Sequence, residues 1–309
     1  MTKRSLRRRL RRGRAAVIAI PYLWLLVFFL LPFLVVMKIS VSEMDGATFQ
    51  DLVRLQDGSI AFNLKFANYL LLVQDDLYLR TYASSLLYAA VTTLLCLAIG
   101  YPFAYFMARA RRSLQPALLM LVMLPFWTSF LLRVYAWKAL LTEQGLAANA
   151  IEAVGLDRLL AAAHLIPGPG QLMNTPFSLV LGMTYTYLPF MILPLYSNLA
   201  KMDLRLLEAA ADLGASAWTA FWKVTVPLSR AGIIAGAMLV FIPCVGEYVI
   251  PELLGGPQTQ MIGRTLWDEF FSNNDWPMAC AVAVTMVLLV IVPLAVFSRY
   301  QAEAAERAA

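Results

Sequence analysis

The sequence has few of the charged residues that soluble proteins carry on their surfaces. Only 14% of its 309 residues are charged and 61% are hydrophobic, whereas about a quarter of a typical soluble domain is charged. A soluble fold of this composition would expose large apolar patches, which soluble monomers rarely do. We therefore expect a single membrane domain over residues 16–309, preceded by a basic tail over residues 1–15.

Residues that commonly carry catalysis are also scarce. The single histidine, His164, lies in a predicted loop, and no nucleophile or set of metal ligands is spaced to act with it. No HExxH motif occurs, and the GxxxxGK[ST] loop that holds ATP phosphates is absent. We predict no catalytic residue, no metal site and no cofactor bound by this chain. The three cysteines lack metal-ligand spacing and are expected to be buried hydrophobes: Cys96, Cys244 and Cys280.

The net charge of +6 arises from a localised basic segment. Eight Lys or Arg residues fall within the first fourteen positions, with no aromatic side chain between them. Proteins that bind single-stranded nucleic acid combine basic residues with aromatic side chains on which bases stack. We therefore predict no nucleic-acid binding, and interpret the basic tail as a signal for membrane topology.

Six segments are long and apolar enough to cross a bilayer, which requires about 20 residues. They are 16–38, 82–108, 114–140, 177–200, 231–251 and 277–298. Most of the 25 basic residues lie in the tail, in the connectors after the second and fourth segments, and after the last segment. The positive-inside rule then places both termini in the cytoplasm. The predicted fold class is all-α, a polytopic membrane protein with six transmembrane helices.

The first predicted external loop, 39–81, shows a short helical period. Its apolar residues Phe62, Phe66, Tyr69 and Val73 recur at intervals of four, three and four. That spacing places them on one face of a helix. We expect a short interfacial helix in this loop.

The segment 201–230 is too long to be a simple connector. Glu208, Ala209 and Ala210 favour a helix, Gly214 interrupts it, and Pro227 ends the second half. Trp218, Phe221 and Trp222 give that half a bulky apolar face. The pattern predicts two short helices at an angle, lying along the membrane and facing the cytoplasm. Such a face suits either an apolar groove on a partner protein or the lipid headgroups.

The spacing within this segment resembles the EAA loop of ABC importer permeases. Glu208-Ala209-Ala210 is followed by three residues, Gly214, nine residues, and then Val224-Thr225-Val226-Pro227. The resemblance implies the type I ABC importer permease fold, with 201–230 as the coupling loop that docks on an ATP-binding subunit. It also implies an ATP-binding subunit dimer that uses ATP and Mg, a second homologous permease subunit, and an external substrate-binding protein.

Longer stretches resemble the polyamine branch of these permeases, and most of all the first permease subunits of putrescine importers. These stretches are 20–40, 123–137, 238–266 and 274–283. The resemblance implies a multi-pass protein of the bacterial inner membrane that passes putrescine. A permease for another small solute remains an alternative, as does a secondary transporter, although the inverted repeat with paired broken helices typical of that class is not evident. A purely structural subunit is a further alternative, and it predicts that mutations in the ATP site of a partner have no effect on what this chain does.

One acid, Glu247, lies inside a predicted span. An ionisable residue at membrane depth indicates a functional site by default, although a hydrogen bond between helices would also explain it. A diamine substrate requires separated carboxylates and aromatic faces for its methylene groups and ammonium ions. The remaining candidates for the substrate path combine these features: Tyr185, Tyr187, Tyr248, Trp267, Asp268 and Glu269.

Overall fold

The computed structural model describes residues 17–45, 48–49, 53–56, 59–62 and 65–308. The predicted basic tail, 1–15, lies outside these residues. The chain forms two compact units. Of the described residues, one unit comprises those up to Asp75 together with Asp268–Val287, and the other comprises Asp76–Trp267 together with those from Leu288 to Ala308.

Helices dominate both units. In chain order they are α1 (Val17–Ser40), α2 (Ala67–Gln74), α3 (Asp76–Arg109), α4 (Gln115–Met123), α5 (Phe130–Leu141), α6 (Leu146–Ala153), α7 (Leu156–Ala162), α8 (Pro176–Leu199), α9 (Arg205–Asp212), α10 (Ala217–Leu228), α11 (Arg230–Val245), α12 (Val249–Leu254), α13 (Ile262–Trp267) and α14 (Trp276–Ala308). A 3₁₀ turn, Leu124–Trp127, extends α4, and a π turn, Phe221–Thr225, lies within α10.

Four described helices are each long and apolar enough to cross a membrane: α1, α3, α8 and the part of α14 over Trp276–Ala295. Two further pairs, α4 with α5 and α10 with α11, pass the same test as bent pairs, at 86° and 64°. Counting each pair as one span gives up to six. The predicted all-α membrane fold is therefore confirmed, with four to six candidate spans.

The predicted third span, 114–140, is interrupted rather than continuous. Pro125 lies in the 3₁₀ turn that ends α4, and Thr128 and Ser129 follow with extended ψ angles of 150° and 137°. A proline lacks the N–H that a helix ladder requires, and extended residues cannot continue a helix. The helix therefore stops at Trp127 and restarts at Phe130 in a new direction.

The first predicted external loop contains strands as well as a helix. Two antiparallel hairpins pair β1 (Met44–Asp45) with β2 (Thr48–Phe49), and β3 (Val53–Gln56) with β4 (Ser59–Phe62). The expected interfacial helix is confined to α2, so the prediction that Phe62 shares a helical face with Val73 is wrong. Residues 53–62 show the β-branched content and the Asp-Gly dipeptide that are typical of a hairpin. A helical period over a few positions cannot outweigh those signals.

The larger unit is built around three long helices, α3, α8 and α11. Small residues allow the close approach of α8 and α11: a Cβ at Gly236 would lie 2.7 Å from Met191 Sδ, and one at Gly232 would lie 2.8 Å from Asn198 Cβ. Small residues serve the same purpose between membrane helices generally. The core between these helices includes several fully buried side chains: Cys96, Met183, Met191, Leu195, Val240 and Cys244.

Candidate functional site

The segment predicted to be the coupling loop consists of two helices joined at a left-handed glycine. α9 carries Glu208, Ala209 and Ala210, and Gly214 follows it with a φ of +83°. Only glycine adopts this conformation without a steric cost from a Cβ. The next helix, α10, begins with a side-chain cap, because Ser216 Oγ accepts a hydrogen bond from the Thr219 N–H at 3.2 Å. The pattern of two short helices is therefore present.

The aromatic side chains of α10 divide into two groups. Trp218 and Trp222 are 71% and 52% exposed, and their rings lie 5.7 Å apart. Phe221 is half-buried and contacts both sides: its ring centroid lies 5.3 Å from that of Trp222, and 5.6 and 5.7 Å from those of Tyr101 and Tyr105 on α3. Among the three aromatic residues, the two tryptophans are the exposed ones, and we call them the tryptophan pair, whereas Phe221 joins them to α3.

A second anchor joins the end of α10 to α3. Tyr101 Oη and Ser229 Oγ are 2.8 Å apart, and both side chains are buried. Ser229 occupies the joint between α10 and α11, where the helix direction changes by 64°. Pro227 lies within the last turn of α10. The segment is therefore attached to α3 at both Phe221 and Ser229.

Glu247 lies at the break between α11 and α12. α11 ends at Val245, and Glu247 Oε1 accepts hydrogen bonds from the backbone N–H groups of Tyr248 at 3.2 Å and Val249 at 3.1 Å. The hydroxyl of Tyr187 on α8 donates to Glu247 Oε2. Donors at a helix start have no partner within the helix, and a carboxylate is a strong acceptor for them. Both oxygens of this 9% exposed side chain are thus occupied.

The break is also in close contact with α13, in what we call the α11–α12 joint (residues 246–248). A Cβ at Gly263 would lie 2.5 Å from the Gly246 carbonyl oxygen and 2.6 Å from that of Glu247. The side chain of Tyr248 stacks on Trp267 at the end of α13, with centroids 4.3 Å apart and an interplanar angle of 15°. Helix α13 therefore fits against the joint only because residue 263 has no side chain.

α13 is in turn held by α3. Its first residue, Ile262, donates its backbone N–H to the buried Ser85 Oγ at 2.7 Å. A second polar contact closes the other side of α12, because Ser178 Oγ on α8 donates to the Leu254 carbonyl at 2.7 Å. The joint and the aromatic stack are therefore supported by three separate helices.

The structure brings together four of the seven predicted path residues: Glu247, Tyr187, Tyr248 and Trp267. Tyr185 lies on another face of α8, where it contacts Trp137 edge-on at 5.4 Å. Asp268 and Glu269 belong to the other compact unit, where Glu269 Oε2 accepts a hydrogen bond from Asn273 Nδ2 at 2.9 Å.

Sequence reasoning did not find Ser85, Gly263 or Tyr101. Ser85 and Tyr101 bind residues more than one hundred positions away in the chain. Gly263 contributes through its backbone contact with the joint. Only the small size of residue 263, between larger neighbours, was visible as a signal.

Residues 96–298 match the family described as "Binding-protein-dependent transport system inner membrane component". The chain belongs to this family. The matched residues include both the segment 201–230 and the α11–α12 joint, so this permease carries both candidate sites within its family core.

Known relatives of the permease are similar over most of its length. The Spermidine/putrescine transport system permease protein PotB of Haemophilus influenzae is 38% identical, over 91% of this chain and 92% of its own. The protein of the same name from Escherichia coli K12 is 37% identical, over 89% and 93%. Among solved structures, a chain of a bacterial alginate ABC transporter, in complex with its alginate pentasaccharide-bound periplasmic protein, superposes with a TM-score of 0.67 at 15% identity, covering 94% of each chain.

These similarities establish the class of the protein. The structural match shows the type I ABC importer permease fold, and the relatives are transport permeases rather than enzymes. The prediction of a non-catalytic membrane subunit of an ABC importer is therefore confirmed. The predicted resemblance to polyamine permeases is confirmed, because both of these relatives are named as spermidine/putrescine permeases.

Proposed function

We propose that this permease forms the path by which a polyamine, with putrescine as the principal substrate, crosses the bacterial inner membrane. The observation that carries the proposal is 38% identity, over nearly the whole chain, to a relative named as a spermidine/putrescine permease. The distribution of basic residues supports placing both termini in the cytoplasm. The family description, a binding-protein-dependent transport system, supports import of a substrate delivered by an external binding protein.

The partners follow from the class of importer. In this proposal the permease pairs with a second homologous permease subunit, and an ATP-binding subunit dimer supplies the energy. ATP and Mg bind to that dimer, because this sequence has no phosphate-binding loop. The lipid bilayer surrounds the helices. Closure of the ATP-binding dimer moves the coupling segment, and the spans alternate between inward and outward access.

The coupling segment supplies the contact with the ATP-binding subunit. Its outward side carries Glu208, Ala209 and the tryptophan pair, all of which are exposed. Aromatic anchors that fill pockets carry much of the binding energy at protein interfaces, and the tryptophan pair suits that role. The left-handed Gly214 sets the angle between α9 and α10, and so sets how the two helices meet the partner.

Phe221 has a distinct place in this proposal. Because it contacts α3 rather than facing outward, it connects the docking surface to the spans. We expect Phe221→Ala to leave the ATP-binding subunit attached and its ATPase active, while putrescine uptake falls about tenfold through loss of its aromatic contacts with α3. Uptake and ATPase activity are measured in the same membranes. Equal loss of both activities would contradict a connecting role.

The path itself is proposed to include the stack of Tyr248 on Trp267. Trp267 is partly exposed, and a flat aromatic surface suits both the methylene chain and the ammonium groups of a diamine. Asp268 and Glu269, which follow Trp267 in the chain, and Tyr185 stay predicted path residues. Glu247 and Tyr187 contribute from beneath this surface, because both are buried.

The test is uptake of radiolabelled putrescine by cells that express the complete importer. A cation–π contact adds about 0.5–2 kcal/mol, so we expect Trp267→Ala to raise the KM for putrescine about tenfold. The matched control is Trp276→Ala, since Trp276 is similarly exposed (36% against 39%) and also stacks on an aromatic ring, that of Phe270. The control should change KM less than about twofold.

Competition identifies the substrate class in the same assay. Spermidine should compete with labelled putrescine, whereas the uncharged 1,4-butanediol should not. Absence of putrescine uptake by the wild-type importer would overturn the polyamine assignment, and would favour a permease for another small solute.

A further inference from the structure

The carboxylate of Glu247 already has hydrogen-bond donors from its own chain on both oxygens. Oε1 accepts two short backbone hydrogen bonds and a third, longer one from the Ile250 N–H at 3.5 Å, and Oε2 accepts from Tyr187. Multiple donors of this kind stabilise a buried carboxylate in the absence of any cation. Each oxygen of Glu247 thus has a partner within the chain, so the carboxylate is satisfied without a substrate ammonium group.

These hydrogen bonds set the conformation of the α11–α12 joint. They cap the start of α12 directly after the end of α11, and they tie this point to α8 through Tyr187. Tyr248 is the next residue, and its ring orientation follows from the backbone at 247 and 248. Because Tyr248 stacks on Trp267, the position of the carboxylate determines where the aromatic stack lies.

We propose that Glu247 is a positioning residue, which holds the α11–α12 joint closed on α8 and thereby orients the Tyr248–Trp267 stack, without contacting the substrate. The contact of Gly263 with the carbonyls of Gly246 and Glu247 holds the same joint from the opposite side. The inference rests on the proposed function, in which that stack receives the polyamine. It replaces direct charge recognition by Glu247 with control of geometry.

Glutamine and alanine at position 247 separate the two roles. In Glu247→Gln the amide oxygen still accepts from the backbone N–H groups, and the amide N–H₂ can donate to the Tyr187 hydroxyl oxygen. We expect Glu247→Gln to keep the KM for putrescine within about threefold of wild type, and Glu247→Ala to raise it about tenfold, since alanine leaves buried donors unpaired. Glu252→Gln is the control for a lost charge nearby, since Glu252 forms an ion pair with Arg264 at 2.8 Å.

Gly263→Ala tests the opposite side of the joint. An added Cβ would meet two backbone carbonyl oxygens that cannot rotate away, so we expect an effect on KM similar to that of Glu247→Ala. Gly168→Ala is its matched control, because the nearest atom to a Cβ there is 3.9 Å away. The unfolding temperature of the purified importer should fall for Glu247→Ala and Gly263→Ala, and should be close to wild type for Glu247→Gln and Gly168→Ala.

The outcomes distinguish this inference from the proposed function. If Glu247→Gln raises KM as much as Glu247→Ala while the unfolding temperature is unchanged, the negative charge itself binds substrate and the inference is overturned. If putrescine is not transported but the unfolding temperatures of the variants follow the expected order, Glu247 still holds the α11–α12 joint, and the polyamine assignment fails. If Trp267→Ala leaves KM unchanged and the Glu247 series still shifts it, the stack is not what Glu247 orients, which also overturns the inference.

Discussion

Removing the tryptophan pair, through the double substitution Trp218→Ala and Trp222→Ala, should abolish most ATP-driven uptake. Both side chains are more than half exposed, although each also packs against Phe221. If they fill pockets on an ATP-binding subunit, truncating such anchors weakens docking by about 2 kcal/mol or more. That corresponds to a reduction in complex formation and uptake of about 30-fold at limiting partner concentration.

The measurement is uptake together with co-purification of the ATP-binding subunit. Trp127→Ala is the matched control, because Trp127 is 75% exposed but lies in the 3₁₀ turn after α4 rather than in the coupling segment. It should leave both readings near wild type. Should the double variant retain its partner and its uptake, the tryptophan pair would instead rest on lipid headgroups.

A second large effect is expected at Gly214. Its φ of +83° is costly for any residue with a Cβ, and more so for a β-branched one. Gly214→Val should therefore shift the angle between α9 and α10, at a cost of about 1–2 kcal/mol for the strained backbone. Because both helices meet the same partner, we expect uptake to fall at least about tenfold.

Gly155 provides a control with the same backbone strain. It has a φ of +72°, and as at Gly214 a Cβ added there would have no atom within 4 Å, but it joins α6 and α7 outside the coupling segment. Gly155→Val should reproduce any general loss of stability without loss of coupling. Equal uptake by the two variants, at equal amounts in the membrane, would mean that the angle at Gly214 does not matter for coupling.

In the coupling segment, the local sequence pattern predicts the two helices but not the direction of every side chain. The helix formers before Gly214 and the break at that residue follow directly from residue type, and the structure has both. The direction of Phe221 does not follow. Periodicity assumes 3.6 residues per turn, whereas the π turn at Phe221–Thr225 changes the phase within α10. The contacts of Phe221 with Tyr101 and Tyr105 then select the inward side, and these lie more than one hundred residues away in the chain.

For the membrane spans, composition likewise predicts position but not backbone direction. Composition locates apolar segments well because burial in a bilayer depends on it. It does not report backbone direction, so 114–140 appeared as one span although the chain bends by 86° within it. Pro125 was a visible warning, but proline is tolerated in many spanning helices. The hairpins after α1 do have a local signal, the Asp57-Gly58 dipeptide, which a helical period over Phe62 to Val73 does not take into account.

At the α11–α12 joint, the buried acid was predictable and its chemistry was not. Glu247 stands out in the sequence because acids are rare inside apolar segments. Its side-chain donor, Tyr187, is 60 residues away in the chain. The backbone of Gly263 packs closely on the carbonyl oxygens of Gly246 and Glu247, at a distance that leaves no room for a Cβ. Neither is visible in local sequence, so the sequence alone allows both charge recognition and helix bonding at Glu247.

The central claim is that this permease imports putrescine with energy from ATP. Its most direct test is transport by the purified complex in proteoliposomes, with putrescine and the binding protein on the side that corresponds to the cell exterior. The claim predicts putrescine accumulation with ATP and Mg on the ATP-binding side, and none with a non-hydrolysable ATP analogue or without this chain. Accumulation driven by an ion gradient in the absence of ATP would contradict it, and would identify a secondary transporter instead.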